Sequence, residues 1–510
     1  MTSKLTKIDP MTLLRSRGAC LLPVLGALLG ACGDDGGSGL YEGDEPAVES
    51  VGEGSAEAGD ESGAADETGD SGPAPACDDQ TPVSLFLSPD DSNSTSSPVQ
   101  VRTAVRDFDS LAEAPIRTWE FLNYYSFDYQ RGEPGTLTVT PEVGQVDGAP
   151  AGQYVLQIGV ASEALTNPDR PLMNLTLVLD ESGSMDGAAI VMERAVCRRI
   201  ASNLRAGDIV SMVGWDTDNA VKLANHPVTG PDDPSITSAC DGLAPGGGTD
   251  LNGGLRAGYD LAHAQYDTDR LNRVVLISDG GANAGVTDID LIASGAGGQD
   301  EEGIYLVGVG VGDSYAYNDS LMDTVTDAGR GASLFIPDQA EVDRMFGERF
   351  VQTMAVAARD VRVRLDMPPG FEIVAFSGEE YSANPEEIEP QHLAPNDAMV
   401  FHQTVATCAP QLIDETTTFT VAVQWQDAVT FAERSVEVTR PIAQMLADQS
   451  PMLQKGAAVY AYAESLKAYR DSPTDAALDP AFAALDRADK LLPGDPDLHE
   501  IREVLTALRD

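Results

Sequence analysis

The chain is short of positive charge: its 510 residues hold 32 Lys and Arg against 82 Asp and Glu, a formal net charge of −50. Nucleic acid and anionic lipid surfaces are held by clustered Lys and Arg, so this balance disfavours both as partners and favours cations and cationic partners. His is scarce, at 5 residues, and His226, His263 and His402 are scattered as surface or core positions rather than gathered as ligands. Aromatic residues make up only 6%, and Trp119, Trp215 and Trp425 stand in strand-like or aromatic surroundings that suit a core. The glycine-rich GGGTD at residues 246–250 lacks the Lys of a phosphate-binding loop, and no Gly-x-Ser-x-Gly elbow surrounds Ser182 or Ser184. What remains is a chain too long for one core. At roughly one unit per ~150 residues, two to four units are expected.

The most apolar run, CLLPVLGALLGAC at residues 20–32, is too short for a stable membrane span, and Lys4, Lys7, Arg15 and Arg17 precede it. That pattern is a secretory signal. Its last four residues, Leu29, Gly30, Ala31 and Cys32, resemble the lipobox of bacterial lipoproteins, which implies cleavage before Cys32 and acylation of its thiol and new amino group. Several acyl chains give stable anchoring, each buried methylene adding about 0.8 kcal/mol. Gly33 rather than Asp follows the Cys, so the resemblance implies the outer membrane or cell surface of a bacterium, with a periplasm-facing orientation also open. Outside the cytoplasm the remaining Cys77, Cys197, Cys240 and Cys408 can form disulfides, and four cysteines allow three pairings. The pairing preferred here joins Cys197 to Cys240, two helices of one domain, and Cys77 to Cys408, the start of the folded region to a late strand.

Residues 33–80 are rich in Gly, Asp, Glu, Ser and Ala and cannot bury enough apolar surface to offset ordering, so they read as an acidic, disordered tether. Residues 84–165 read as a β-rich flank, with VQVRTAV, GTLTVTPEV and QYVLQIGVA as strands and WEFLNYYSFDYQ as a packed aromatic corner. From 172 to 356, continuous aliphatic runs such as NLTLVLD, DIVSMVGW, RVVLISD and IYLVGVGVG alternate with helical patterns. That is the pattern of a doubly wound, mostly parallel α/β sheet covered on both faces. Strands return over 358–440, which suggests that the α/β unit is inserted into a sandwich-like β domain. Residues 442–510 are Ala-rich and helical, with breaks expected near Pro473, Pro480 and Pro493.

Ligands of such sheets sit at the carboxyl ends of the strands. NLTLVLDESGSM places Asp180 at one such end, with Ser182 and Ser184 on the turn beyond it. GGGTDLNGGL puts Thr249 on a second loop, and RVVLISDGG puts Asp279 on a third. A hard divalent cation takes about six oxygens, several of them from water, so five side-chain oxygen groups with only two formal charges are enough to hold one and leave it electron-poor. The same Asp-x-Ser-x-Ser spacing recurs at Asp90, Ser92 and Ser94, but Pro89 precedes that copy, a strand is expected after Pro98, and no partner Thr or Asp can be matched to it.

The order of these motifs resembles that of von Willebrand factor type A domains, and of bacterial cell-envelope lipoproteins that carry one. The resemblance is strongest over residues 174–336. It implies a metal-ion-dependent adhesion site for Mg²⁺, with Mn²⁺ or Ca²⁺ as alternatives. Ser182, Ser184 and Thr249 would be direct ligands, and Asp180 and Asp279 would act mainly through water. A free coordination position would then accept an Asp or Glu from a partner protein. Two departures stand out, Glu181 where relatives carry a small or apolar residue and Gly281 where many have Asp. The chain is thus expected to be a binding protein rather than an enzyme. A metal-dependent hydrolase or phosphatase with Glu181 as base, and an envelope scaffold with a purely structural metal, stay open as alternatives.

Overall fold

The computed structural model describes residues 77–509 apart from 79, 90–93, 108–110, 113, 147–149, 151, 282–302, 315–316 and 449. Cys32, residues 33–76 and 79 of the tether, Asp90 and Ser92 therefore lie outside the described residues. Three sheets make up the fold.

The central sheet runs β6-β5-β4-β7-β8-β9. Its strands are β4 (Met173–Asp180), β5 (Ile209–Trp215), β6 (Asn219–Pro227), β7 (Leu271–Ser278), β8 (Ile304–Val311) and β9 (Ser333–Ile336). All neighbours are parallel except the β5–β6 pair at one edge. Every residue of β4 and β8 is buried, as expected for strands covered on both faces. On one side α3 (Ala188–Asn203) packs Ile190, Val196 and Ile200 against Leu177, Leu179 and Ile277. On the other, α5 (Leu251–Ala264) packs Leu255 and Tyr259 near Val178 and Val213. A Cβ on Gly254 would overlap the Trp215 ring and one on Gly258 would overlap Val178, so these two glycines set how closely α5 approaches the sheet. The chain leaves β4 for β5 on one side and returns to β7 on the other. This switch of direction opens a crevice at the carboxyl ends of β4 and β7.

The other two sheets are antiparallel and face each other. One runs β12-β1-β10-β15-β16 with β13 also on β10, and the other runs β11-β14-β3-β2. Here β1 is Val83–Ser88, β2 Thr138–Gln145, β3 Gln153–Ala161, β10 Ala358–Met367, β11 Phe371–Phe376, β12 Glu380–Ser382, β13 Gln391–Leu393, β14 Ala398–Thr407, β15 Thr418–Asp427 and β16 Glu433–Pro441. Leu156, Ile158, Phe401, Phe419, Val421 and Val363 fill the space between them. Because β1 pairs with β10 and β3 with β14, strands from before and after the central sheet share hydrogen-bonded ladders. The α/β unit is inserted into a β-sandwich. Cys77 is bonded to Cys408 beyond β14, and Cys197 of α3 is bonded to Cys240 of α4 (Pro234–Asp241).

One expectation for the first flank is corrected: VQVRTAV is not a strand but helical, within α1 (Ser96–Arg106). The aromatic corner is packed, with Phe121, Tyr124, Tyr125, Phe127 and Tyr129 buried, and it contains a second helix, α2 (Thr118–Tyr124). The alternating valines mimic a strand because α1 is buried nearly all round, including Val99, Val101, Ala104 and Val105, so its pattern carries no single apolar face. A helix thus follows the Asp90 copy of the motif after all. Ser94, its described member, is buried and donates to the Ser333 carbonyl at 3.3 Å.

The C-terminal helices are α9 (Ile442–Ala447), α10 (Pro451–Asp471), α11 (Asp475–Leu491) and α12 (Pro496–Arg509), numbered after α6 (Asp319–Ala328), α7 (Gln339–Asp343) and α8 (Phe350–Met354) of the α/β unit. Pro473 and Pro493 fall between helices, but Pro480 lies inside α11. The missing hydrogen bond there is offset by burial of Leu478, Ala481, Leu485 and Ala488 in the core shared with α10 and α12. No described helix is long and apolar enough to cross a membrane.

Candidate functional site at the carboxyl edge of the sheet

Asp180 ends β4 and is fully buried. Its Oδ1 accepts the Ser182 N–H at 2.9 Å, and its Oδ2 accepts the Ser278 hydroxyl at 2.6 Å. The next residues form a single tight turn, Gly183–Met185, which brings the Ser182 and Ser184 hydroxyls to 3.0 Å from one another. Asp279, 5% exposed, follows β7, and its Oδ1 accepts the Gly281 N–H at 3.0 Å. Thr249, 1% exposed, sits just before the Asp250 that caps α5 by accepting the Gly253 N–H at 3.0 Å.

The three loops meet at Gly281. A Cβ on that residue would lie 3.2 Å from Asp279 Oδ1, 3.4 Å from Thr249 Cγ2 and 3.5 Å from Ser184 Oγ. A larger side chain at this position would fill the space between these groups, which is what Gly281 leaves open. The sequence-derived residues Asp180, Ser182, Ser184, Thr249 and Asp279 therefore come together at one end of the sheet, although they span 100 residues of chain.

Their electrostatics are unbalanced. No ion pair joins Asp180 or Asp279 to a described basic side chain. Burial, reinforced by the Asp279 charge, raises the Asp180 carboxyl to about 7 in spite of the Ser182 and Ser278 hydrogen bonds. Behind it, Glu193 of α3 is fully buried, and its Oε1 accepts the Asp180 N–H at 2.8 Å. Its other oxygen, Oε2, has no partner among the described residues, and burial together with Asp180 holds its carboxyl well above the usual range. A buried carboxylate with only neutral donors is destabilising until a cation arrives, so this donor set suits a divalent metal. Among the described residues there is no cluster of three or more His, Cys, Asp or Glu placed to hold a metal. The convergent set draws most of its oxygens from hydroxyls instead.

Sequence reasoning missed Ser278 and Glu193. The signal for Ser278 was its place between strand and Asp279 in LISDGG. For Glu193 it was a carboxylate on the apolar face of α3. Glu181 behaves differently from its neighbour because successive side chains on an extended chain point to opposite sides. Its Oε2 lies 2.6 Å from Lys222 Nζ of β6, its Oε1 accepts the Ala244 N–H at 3.1 Å, and its carbonyl accepts the Gly246 N–H at 2.7 Å. Gly183 N–H in turn donates to the Gly247 carbonyl at 3.3 Å. Glu181 thus fastens the Thr249 loop against the Ser182–Ser184 turn.

Residues 175–282 match the family model of the von Willebrand factor type A domain. Over 264 residues, half of this chain and 45% of that protein, the chain is 25% identical to the uncharacterized protein YfbK of Escherichia coli (strain K12). It is 26% identical over 222 residues, 44% of this chain and 51% of that protein, to the uncharacterized protein sll0103 of a Synechocystis strain. The chain spans about half the length of these curated relatives. Among solved structures it is similar to a von Willebrand factor type A protein from Catenulispora acidiphila, with 16% identity, a TM-score of 0.44, and 73% of this chain and 89% of that one covered. It is also similar to the ArnB paralog VWA2 of Sulfolobus acidocaldarius, with 13% identity, a TM-score of 0.40, and 73% and 97% covered. With the matched segment spanning β4 to the Asp279 loop and the polar groups gathered at that sheet edge, the chain carries a von Willebrand factor type A domain.

Proposed function

We propose that this protein is a lipid-anchored cell-envelope receptor that binds a divalent cation, Mg²⁺ or else Mn²⁺ or Ca²⁺, through Asp180, Ser182, Ser184, Thr249 and Asp279, and uses it to capture a carboxylate of a partner protein. Domains of this type generally mediate protein–protein interaction or adhesion. The observation that carries the reading is the meeting of Ser184, Thr249 and Asp279 around Gly281, beside a buried Asp180 that has only neutral hydrogen-bond donors. Both Asp180 oxygens already accept protein hydrogen bonds, which favours the hydroxyls of Ser182, Ser184 and Thr249 as the direct ligands. With neutral hydroxyls as direct ligands and the two carboxylates acting through water, the ion would stay electron-poor and would accept an acidic side chain at a free position, an electrostatic bridge that fixes orientation. The Cys32 anchor and the 33–80 tether would give the site reach from the membrane; this part rests on the sequence pattern alone.

A binding role is favoured over hydrolysis because Glu181, the carboxylate considered as a general base, is occupied by Lys222 and the Ala244 N–H. The test is capture of envelope proteins on the immobilised chain. Retention is expected with Mg²⁺, and release is expected with EDTA, with excess acetate, or in Asp279→Ala. Capture that ignores EDTA would leave the metal a structural role only. Turnover of a phosphate or acyl ester, lost in Glu181→Gln, would replace binding with catalysis.

A further inference from the structure

Between the α/β unit and the sandwich lies a cavity of about 90 Å³, bordered by Val307 of β8 and Leu334 of β9 on one side and by Leu393 of β13 and Met399 of β14 on the other. Arg273 of β7 lines it and is 6% exposed. Its Nε donates to the Met354 carbonyl at 2.9 Å, and its guanidinium lies 5.3 Å from the centre of the Tyr305 ring. Among the described residues no carboxylate pairs with it, and burial pulls its pKa down to about 10.

His392 lines the same cavity and is 8% exposed. Its Nδ1 accepts the Asp360 backbone N–H at 3.2 Å, so the neutral ring carries its proton on Nε2. That Nε2 has no hydrogen-bond partner among the described residues. The other charged groups of the lining are Arg330, paired with Asp360 at 2.9 Å, and Arg349, which donates to the Tyr124 carbonyl at 2.7 Å and to Ser126 Oγ at 2.9 Å. Asp397 is the one carboxylate of the lining, and it accepts the Ala398 N–H at 2.9 Å. Three guanidinium groups thus border the cavity against one carboxylate, in a chain whose formal charge is −50.

We propose that this cavity is a binding site for a small oxyanion of carboxylate or phosphate size, held by the Arg273 guanidinium and the His392 Nε2–H. A guanidinium presents parallel N–H donors that match two oxygens of such an anion, and a neutral imidazole N–H adds a third donor without further charge. The apolar side chains of Val307, Leu334, Leu393 and Met399 on its walls lower the local dielectric and strengthen both contacts. Arg273 stands six residues before Asp279 along an extended strand, roughly 20 Å at ~3.3 Å per residue. The anion is therefore separate from any carboxylate bound at the metal edge. It would tie β7 of the α/β unit to β13 of the sandwich and fix the angle between them.

The test titrates sodium phosphate and sodium acetate into the metal-stripped full chain, against sodium chloride at equal ionic strength, by calorimetry and thermal melting. Saturable one-to-one binding is expected for at least one of the two, weakened tenfold or more in Arg273→Gln and severalfold in His392→Phe, which keeps the ring against Tyr305. Asp279→Ala should bind as the wild type does. Tighter phosphate binding would assign the site to phosphoryl compounds, and tighter acetate binding to carboxylates. If Arg273→Gln does not fold, His392→Phe decides. The absence of saturable binding by the wild type, or binding unchanged in the variants that fold, overturns the site.

Discussion

At the amino end of the central sheet, Arg170 and Asp208 are both fully buried and meet through two contacts, at 2.5 and 3.0 Å. The remaining capacity of Asp208 is used by the Met173 and Arg205 N–H groups, each at 2.9 Å. At the carboxyl end, Asp180 and Asp279 are almost equally buried but receive only neutral donors. One end balances its charge within the chain, and the other has no basic side chain paired with its carboxylates among the described residues. Packing alone would favour pairing at both ends, because an uncompensated buried charge costs several kcal/mol. The asymmetry is what supports the proposal of a cation site at the carboxyl edge.

The largest expected effect breaks the balanced end. Asp208→Ala leaves Arg170 buried without its carboxylate and should cost about 3–5 kcal/mol in urea unfolding, equally with Mg²⁺ or EDTA. A loss confined to one metal condition would show that the two ends are not independent.

The unbalanced end should respond with the opposite sign. The folded Asp180 carboxyl is raised from 3.8 to about 7, so the metal-free fold holds this proton more tightly than the unfolded chain. Its stability contribution is present below 3.8 and is lost as pH rises towards 7. Asp180→Asn should therefore melt at or above the wild type in EDTA at pH 7.5. It should also gain nothing from Mg²⁺ at a concentration that stabilises the wild type by about 2.7 kcal/mol, a hundred times its dissociation constant. A variant that is weaker in EDTA and still responds to Mg²⁺ would contradict the comparison.

The sandwich supplies a control in which a buried titratable group is kept neutral. His402 Nδ1 donates to Gln157 Oε1 at 2.7 Å, while Gln157 Nε2 donates to Tyr129 Oη at 2.7 Å and to the Met452 carbonyl of α10 at 2.9 Å. Burial lowers His402 to about 4, so below its unfolded pKa of 6.5 the unfolded chain binds the extra proton and stability falls on acidification from 6.5 towards 4. The slope is at most about 1.4 kcal/mol per pH unit from this group. Metal-free unfolding measured between pH 4 and 6.5 should show a shallower slope in His402→Gln than in the wild type, and identical slopes would remove His402 as the cause. The smallest effect is expected from Lys222→Met, which frees Glu181 from its partner. About 1 kcal/mol of stability and a severalfold loss of Mg²⁺ affinity are expected, read by unfolding and by Mg²⁺ titration. Unchanged affinity would mean that the Glu181 brace does not position the Thr249 loop.

The parts of this arrangement that were legible in the sequence are those set by local pattern. NLTLVLD and RVVLISD each end an aliphatic run on an Asp, and the run itself specifies a buried parallel strand that delivers the carboxylate to the sheet edge. Strands before and after the α/β unit pointed to insertion. What escaped depended on neighbours distant in sequence. The α1 pattern is misleading because packing surrounds the helix on every side. The β6 strand is a largely exposed edge with no buried residue, so no buried-strand pattern marked it, and with it went the Lys222 partner that accounts for Glu181. Ser278 and Glu193 act on Asp180 across 98 and 13 residues, and only the fold shows that they touch it.

The most direct measurement is a Mn²⁺ titration followed by electron paramagnetic resonance on the wild type, Asp279→Ala and Asp208→Asn. One tightly held ion per chain is expected in the wild type and in Asp208→Asn, displaced by Mg²⁺, with none in Asp279→Ala. Equal Mn²⁺ binding in the wild type and Asp279→Ala would contradict the assignment of the carboxyl edge as the cation site.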